Sequence, residues 1–214
     1  MSEVKQAEEF ADVLHEKLKF PSQWALWEHY DTSDYQKSMR KVAWFDDVIS
    51  FSESWQNLPH QDVKNFFYNE ESKQLNVHQI DGEEKRINGF SLFEYNIQPE
   101  WEDPVNEQGG EWKFDFKAPI AVVQKLWEKL VFQTVTGEFA EVDKLCGVRL
   151  LDKSANGKES FFRIEIWTKL ASEQEAEGQL IRKYLDEVFI DGILKKCENP
   201  LVSLHSTKFV NHKP

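Results

Sequence analysis

The chain has 214 residues, 40% hydrophobic and 30% charged, with a formal net charge of −12. Its length suits one domain with a substantial core, and its acidity weighs against broad binding to a nucleic-acid backbone while leaving room for a small, locally recognised nucleotide. No apolar run approaches the roughly 18 residues of a membrane helix. The polar start resembles no targeting peptide, and Cys146 and Cys197 lack the spacing of a disulfide framework, so a reducing compartment, cytoplasmic or nuclear, is expected.

Residues 1–19 read as an N-terminal extension, with a short helix over 8–18. Large residues on both faces of 22–30 predict a strand, followed by the polar turn Asp31-Thr32-Ser33-Asp34 and then Tyr35. A second strand over 39–45 ends at Asp46, an N-cap candidate for a helix to about Leu58, which Pro59 closes. Residues 61–87 are polar apart from Phe66-Phe67-Tyr68 and read as an inserted excursion; Asp81-Gly82 suits the tight turn of a hairpin over 74–87. A third strand over 90–95 leads into Ile97-Gln98-Pro99-Glu100-Trp101-Glu102-Asp103-Pro104, where two prolines enforce a shaped loop. Trp112 to Phe116 alternates aromatic and charged residues, as a half-buried strand does. Pro119 opens a helix whose stripe is Val123, Leu126, Trp127, Leu130 and Val131, ending near Gly137. Strands over 146–151 and 161–167 flank a long polar loop, a second amphipathic helix covers 171–190, and 201–205 is a last strand. Residues 20–206 then form one α+β domain, a curved antiparallel sheet with helices on one face, and 207–214 is a trailing tail.

Catalytic constellations are thin. The six histidines show no metal-ligand spacing and no triad, His29 reads as a structural strand histidine, and Gly109-Gly110 is a turn rather than a phosphate loop. Trp101 is either a plug over the core or an open indole face. With Glu102 beside it, an open face suits a flat, cationic, hydrogen-bond-donating ligand. Glu102 with Asp103 also admits an acid/base pair in a small-molecule hydrolase, a reading that leaves the surrounding aromatics unused. Eight tryptophans are more than a core of this size needs, so some belong at a ligand or partner surface. Lys153, Lys158 and Arg163 surround an inter-strand loop; they are either solvated charge or phosphate contacts.

These residues together resemble the cap-binding translation initiation factors of the 4E class. The likeness rests on Trp24-Ala25-Leu26-Trp27, Ser91-Leu92-Phe93, Ile97-x-Pro99-x-Trp101-Glu102-Asp103, Gly109-Gly110-x-Trp112, Gly137-Glu138, Cys146-Gly147 and Ile164-x-Ile166-Trp167, in that order from about Trp24 to Leu204. It implies a non-enzymatic protein without cofactor, shaped like a cupped hand, that takes the 7-methylguanosine cap of mRNA in its concave face. Scaffold or inhibitor proteins would lie on its convex helical back. Carried over by position, Trp101 and Tyr35 would sandwich the base, Glu102 would accept its N–H donors, and Trp167 would lie near the methyl group. Lys153 and Arg163 would meet the phosphates, with Lys158 as the substitute if the longer loop shifts the register. On the partner face Val48 remains, but Ser52 stands where the family has the tryptophan of a Phe-Trp pair. Trp55, one turn on, either restores that anchor or belongs to the core. Ser52, and Tyr35 where the family usually has a tryptophan, raise a second reading, a divergent cap-binding repressor or paralogue.

Overall fold

The computed structural model describes residues 18–32, 38–197 and 199–212. The expected helix over 8–18 therefore lies almost wholly outside the described residues, and so does Tyr35. Among the described residues, seven strands form one antiparallel sheet: β1 (Lys19–Tyr30), β2 (Met39–Asp47), β5 (Ile87–Glu94), β6 (Gly110–Lys117), β7 (Leu145–Asp152), β8 (Phe162–Thr168) and β9 (Ser203–Asn211), in the spatial order β2-β1-β5-β7-β8-β6-β9. Two short strands, β3 (His78–Ile80) and β4 (Glu83–Lys85), make a separate hairpin. Its turn is the expected one, with Asp81 and Gly82 at φ 54° and 80°.

The period-two alternation of the strands sorts the sheet into two faces. Trp24, Leu26, Phe45, Phe90, Leu92, Trp112, Phe114, Phe116, Val148, Leu150, Ile164 and Ile166 point to one side. There they join one core with α3 (Ile120–Val135) through Val123, Leu126, Trp127, Leu130 and Val131. That is the stripe predicted from the sequence. Helix α1 (Val48–Asn57) adds Phe51 and Trp55, and α4 (Ala176–Leu185) adds Ile181 and Leu185. The opposite face carries no long helix among the described residues. A small separate apolar cluster of Phe93, Ile97, Cys146 and Trp167 sits there instead.

The structure moves several expected boundaries. The N-cap of α1 is Asp47, whose Oδ1 accepts the Ser50 amide at 2.7 Å; Asp46 instead pairs with Lys19 at 2.7 Å, because β2 runs further than its apolar pattern suggests. Residues 61–87 are not all an excursion, since Val63, Phe66, Phe67 and Tyr68 are buried core residues. The second long helix begins at Ala176, after Glu175 has accepted the Ser172 amide, and continues beyond residue 190 as wider turns over Asp186–Leu194. The largest correction is at the C-terminus. Residues 207–211 are not a tail but most of β9, an edge strand paired with β6 from Lys117↔Ser203 to Gly110↔Asn211.

Candidate functional site

The open face is built from the residues that alternate away from the core: Glu111, Lys113 and Asp115 on β6, Arg149 and Leu151 on β7, and Arg163, Glu165 and Trp167 on β8. Above it hangs the loop between β5 and β6, which contains the helical turn α2 (Pro104–Glu107). This loop is braced throughout. Ile97 is buried with Phe93, Cys146 and Trp167. The buried Asn106 donates its amide to the carbonyls of Gln98 and Glu100, at 2.7 and 2.8 Å. Asp103 caps α2, accepting the Val105 amide at 2.9 Å with one oxygen and the Gln98 amide at 2.9 Å with the other. The Arg149 guanidinium donates to the Pro99 carbonyl from the sheet below. Gly109 closes the loop; a Cβ there would sit 1.9 Å from the Thr168 carbonyl oxygen, so only glycine fits.

What this scaffold holds out is Trp101, 54% exposed, with Glu102 beside it, also exposed. Both line a cleft of about 370 Å³ together with His29, Tyr30, Met39, Arg149, Lys153 and Trp167. Trp167 is only 1% exposed and forms the floor. Its indole N–H donates to Glu165 at 3.1 Å, and the Arg149 guanidinium lies 4.8 Å from its ring centre. The plug reading of Trp101 therefore fails: the residue that packs into the sheet is Ile97, and the indole faces outward. The pairing of both Asp103 oxygens with backbone amides also removes that carboxylate from any acid/base pair.

The sequence-predicted basic residues divide. Lys153 is exposed and lines the cleft; partial burial of its ammonium, then the charges of Arg163 and Arg149, hold it below the usual lysine value. Arg163 is not among the cleft-lining residues. Its guanidinium is engaged by Asp115 at 2.7 and 3.1 Å and lies 3.8 Å from Glu165. Lys158 lines a neighbouring cleft with Lys153, Lys117 and Phe161. His29 hydrogen-bonds Ser91 at 2.7 Å, and burial, then the Arg149 charge, push its imidazole well below the ordinary value, so it stays neutral, in keeping with a structural histidine.

Among the residues of the site that sequence reasoning does not single out, two engage the cleft floor and its loop. Arg149 is one, although a lone arginine inside the apolar run Cys146-Gly147-Val148-Arg149-Leu150-Leu151 is a visible signal. His212 is the other. Its side chain is 1% exposed, its backbone amide donates to the Gly109 carbonyl at 3.0 Å, and its Nδ1 donates to the Asn106 carbonyl at 2.7 Å. The ring lies 4.5 Å from that of Trp167 and 6.0 Å from that of Trp101. Its Nε2 is 3.6 Å from the buried Glu111 carboxylate, which Lys113 also engages at 2.7 Å. The end of the chain thus ties the Trp101 loop to the sheet edge.

A seven-stranded antiparallel sheet with helices on one face, and an exposed tryptophan–carboxylate pair over the other, can now be set beside known proteins. The chain belongs to the eukaryotic initiation factor 4E family, whose model matches residues 19–197. Among its relatives is eukaryotic translation initiation factor 4E of Dictyostelium discoideum, 27% identical over an alignment of 179 positions that covers 79% of this chain and 61% of the relative. Another is eukaryotic translation initiation factor 4E1 of Drosophila melanogaster, 29% identical over 63% of this chain and 51% of the relative. The matched segment thus spans less than two thirds of these relatives. A solved complex of C. elegans eIF4E-3 with the 4E-binding protein Mextli shares the fold, at TM-score 0.61 and 20% identity over 92% of this chain and 94% of that one. A second, with Mextli and a cap analog, gives 0.58 and 19% over 91% and 92%.

Proposed function

We propose that this protein binds the 7-methylguanosine cap of mRNA in the cleft beneath Trp101, as a binding protein in translation initiation rather than an enzyme. The observation that carries the reading is the Trp101–Glu102 pair, held outward by a loop fixed at Ile97, Asn106, Asp103 and His212. Methylation at N7 makes guanine cationic, so an indole face attracts it by cation–π and stacking terms of about 1–3 kcal/mol. A carboxylate accepting two parallel N–H donors then selects guanine, and little ordering is required because the loop is already braced. Lys153 is the phosphate contact the cleft offers, with Lys158 and Arg163 as further candidates. Arg163 would have to share itself with Asp115. Tyr35 is proposed as the second slice on its sequence position alone. The family membership and the solved neighbour that holds a cap analog support the reading. Passage over a resin carrying 7-methylguanosine triphosphate tests it: the protein is retained, and free methylated nucleotide elutes it where unmethylated nucleotide does not. Equal elution by both refutes the reading.

The helical face is the proposed site for a helical peptide from a scaffold or inhibitor protein, in line with the neighbours solved with a 4E-binding protein. Val48, Ile49 and Phe132 are 43%, 47% and 43% exposed there. Trp55 is buried, stacked on Phe51 at 5.6 Å, so it belongs to the core and does not stand in for the tryptophan missing at Ser52. A hot-spot tryptophan in such a groove contributes about 2 kcal/mol or more. Ser52→Trp is therefore expected to tighten a 4E-binding helical peptide by roughly tenfold or more in calorimetry. An unchanged affinity would show that Ser52 is not a weak point.

A further inference from the structure

Two stretches stand apart from the family pattern in the sequence, the polar segment 61–87 and the long loop after β7. In the structure they are one unit. The Gly157 amide donates to the Lys73 carbonyl at 2.8 Å, and the Leu75 amide to the Asn156 side-chain oxygen at 2.7 Å. The Tyr68 hydroxyl donates to the Lys158 carbonyl, and the Tyr68 amide to Asp152 at 2.8 Å. Between this unit and the chain before β9 lies a cleft of about 660 Å³, lined among others by Tyr68, Lys73, Lys117, Lys158 and Leu201. It shares Lys117 and Lys158 with a smaller cleft at Phe161, which in turn shares Lys153 with the Trp101 cleft. The three thus adjoin in a row, each meeting the next at a shared lysine.

Its chemistry suits a single nucleic-acid strand. Lys73, Lys117, Lys153 and Lys158 gather along it in a chain whose net charge is −12. Phe161 lies edge-on to the exposed His205 at 5.4 Å, which offers aromatic surface for a base. Glu70 and Glu159 also line the large cleft. Glu159 is tied to Lys117 at 2.5 Å, but its side chain is 73% exposed, and an exposed ion pair contributes only about 0–1 kcal/mol, so a phosphate can take its place. Lysines that neutralise phosphates beside aromatic stacking surfaces are how single strands are held without sequence preference.

We propose that this run carries the first nucleotides of the RNA chain downstream of the cap. The proposal rests on the cap-binding reading, because the strand enters from the Trp101 cleft at Lys153. The test measures dissociation constants for 7-methylguanosine triphosphate and for a short capped oligoribonucleotide over a range of salt concentrations. The oligonucleotide is expected to bind several-fold tighter, with a salt dependence steeper by about 0.7 for each added phosphate contact. Lys73→Gln and Lys117→Gln should each remove part of that gain, roughly two- to fivefold, and leave the cap nucleotide unchanged. Lys73 is exposed, so Lys73→Gln keeps the test sound even if Lys117→Gln folds poorly. If the cap nucleotide binds but the oligonucleotide is neither tighter nor more salt-dependent, this proposal falls and the cap reading stands. A loss shared equally by both ligands in the lysine variants also overturns it. If neither ligand binds, both proposals fall.

Discussion

Replacing Trp101 with alanine is expected to weaken binding of a 7-methylguanosine nucleotide by roughly 10- to 100-fold, the equivalent of losing one stacked base. The indole is half in solvent and its loop is anchored elsewhere, at Ile97, Asn106 and Asp103, so the thermal midpoint should barely move. Because the attraction has a cation–π part, Trp101→Ala should also narrow the preference for the methylated over the unmethylated base. Glu102→Ala is expected to cost a similar amount through a different term, hydrogen bonds to a charged acceptor at about 1.5–3 kcal/mol. Its signature is a lost preference for guanine over adenine with the methylation preference kept. Fluorescence titration of both variants against four nucleotides separates the two roles. Identical selectivity in wild type and Glu102→Ala would remove Glu102 from the site.

The second large effect concerns stability on the helical side. Glu28 points from β1 into the core, where its carboxylate accepts from His60 at 2.5 Å, from the Tyr30 hydroxyl, and from Arg40 at 3.0 Å. His60 is itself stacked on Phe66 at 5.2 Å. Glu28→Ala would leave buried donors without an acceptor, a change that typically costs about 3–5 kcal/mol. The same group makes stability depend on pH. Burial pushes the Glu28 carboxyl up, but the hydrogen bonds from His60 and Tyr30, with the charges of His60 and Arg40, together hold it below its ordinary value. A depressed carboxyl contributes stability that is fully present above the unfolded value of about 4.3 and is lost as pH falls through the lower, folded value. Glu28→Gln, which cannot ionise, should therefore trail wild type in thermal midpoint near neutrality and converge on it in acid. A constant gap across that range would show that the charge of Glu28 contributes nothing.

Much of the sheet is legible in the sequence because its strands alternate strongly, as Trp112-Lys113-Phe114-Asp115-Phe116 does. The stripe of α3 is legible for the same reason at helical period. The Trp101 loop declares itself through its prolines, which exclude a central strand and a long helix; Pro104 opens only the single helical turn of α2. What binds that loop in place is less visible. Asn106, Arg149 and His212 act through contacts of long sequence separation, which no local pattern encodes. Strand β9 is hard to read because it lies at an edge, where Ser206, Thr207 and Lys208 face partly to water and dilute the alternation around Phe209 and Val210. Phe66-Phe67-Tyr68 is the converse case. An aromatic triplet inside a polar stretch is itself a burial signal, and the structure places all three in the interior.

Recognition of a methylated guanine by the exposed Trp101 and Glu102, as proposed, has an optical signature. Trp101, Trp167 and the half-buried Trp27 all report from the open face, so intrinsic fluorescence reads occupancy directly. In a titration of the intact chain, 7-methylguanosine triphosphate should quench tryptophan emission saturably, and guanosine triphosphate should bind at least tenfold more weakly. Equal affinities, or no saturable response to either nucleotide, would contradict the account.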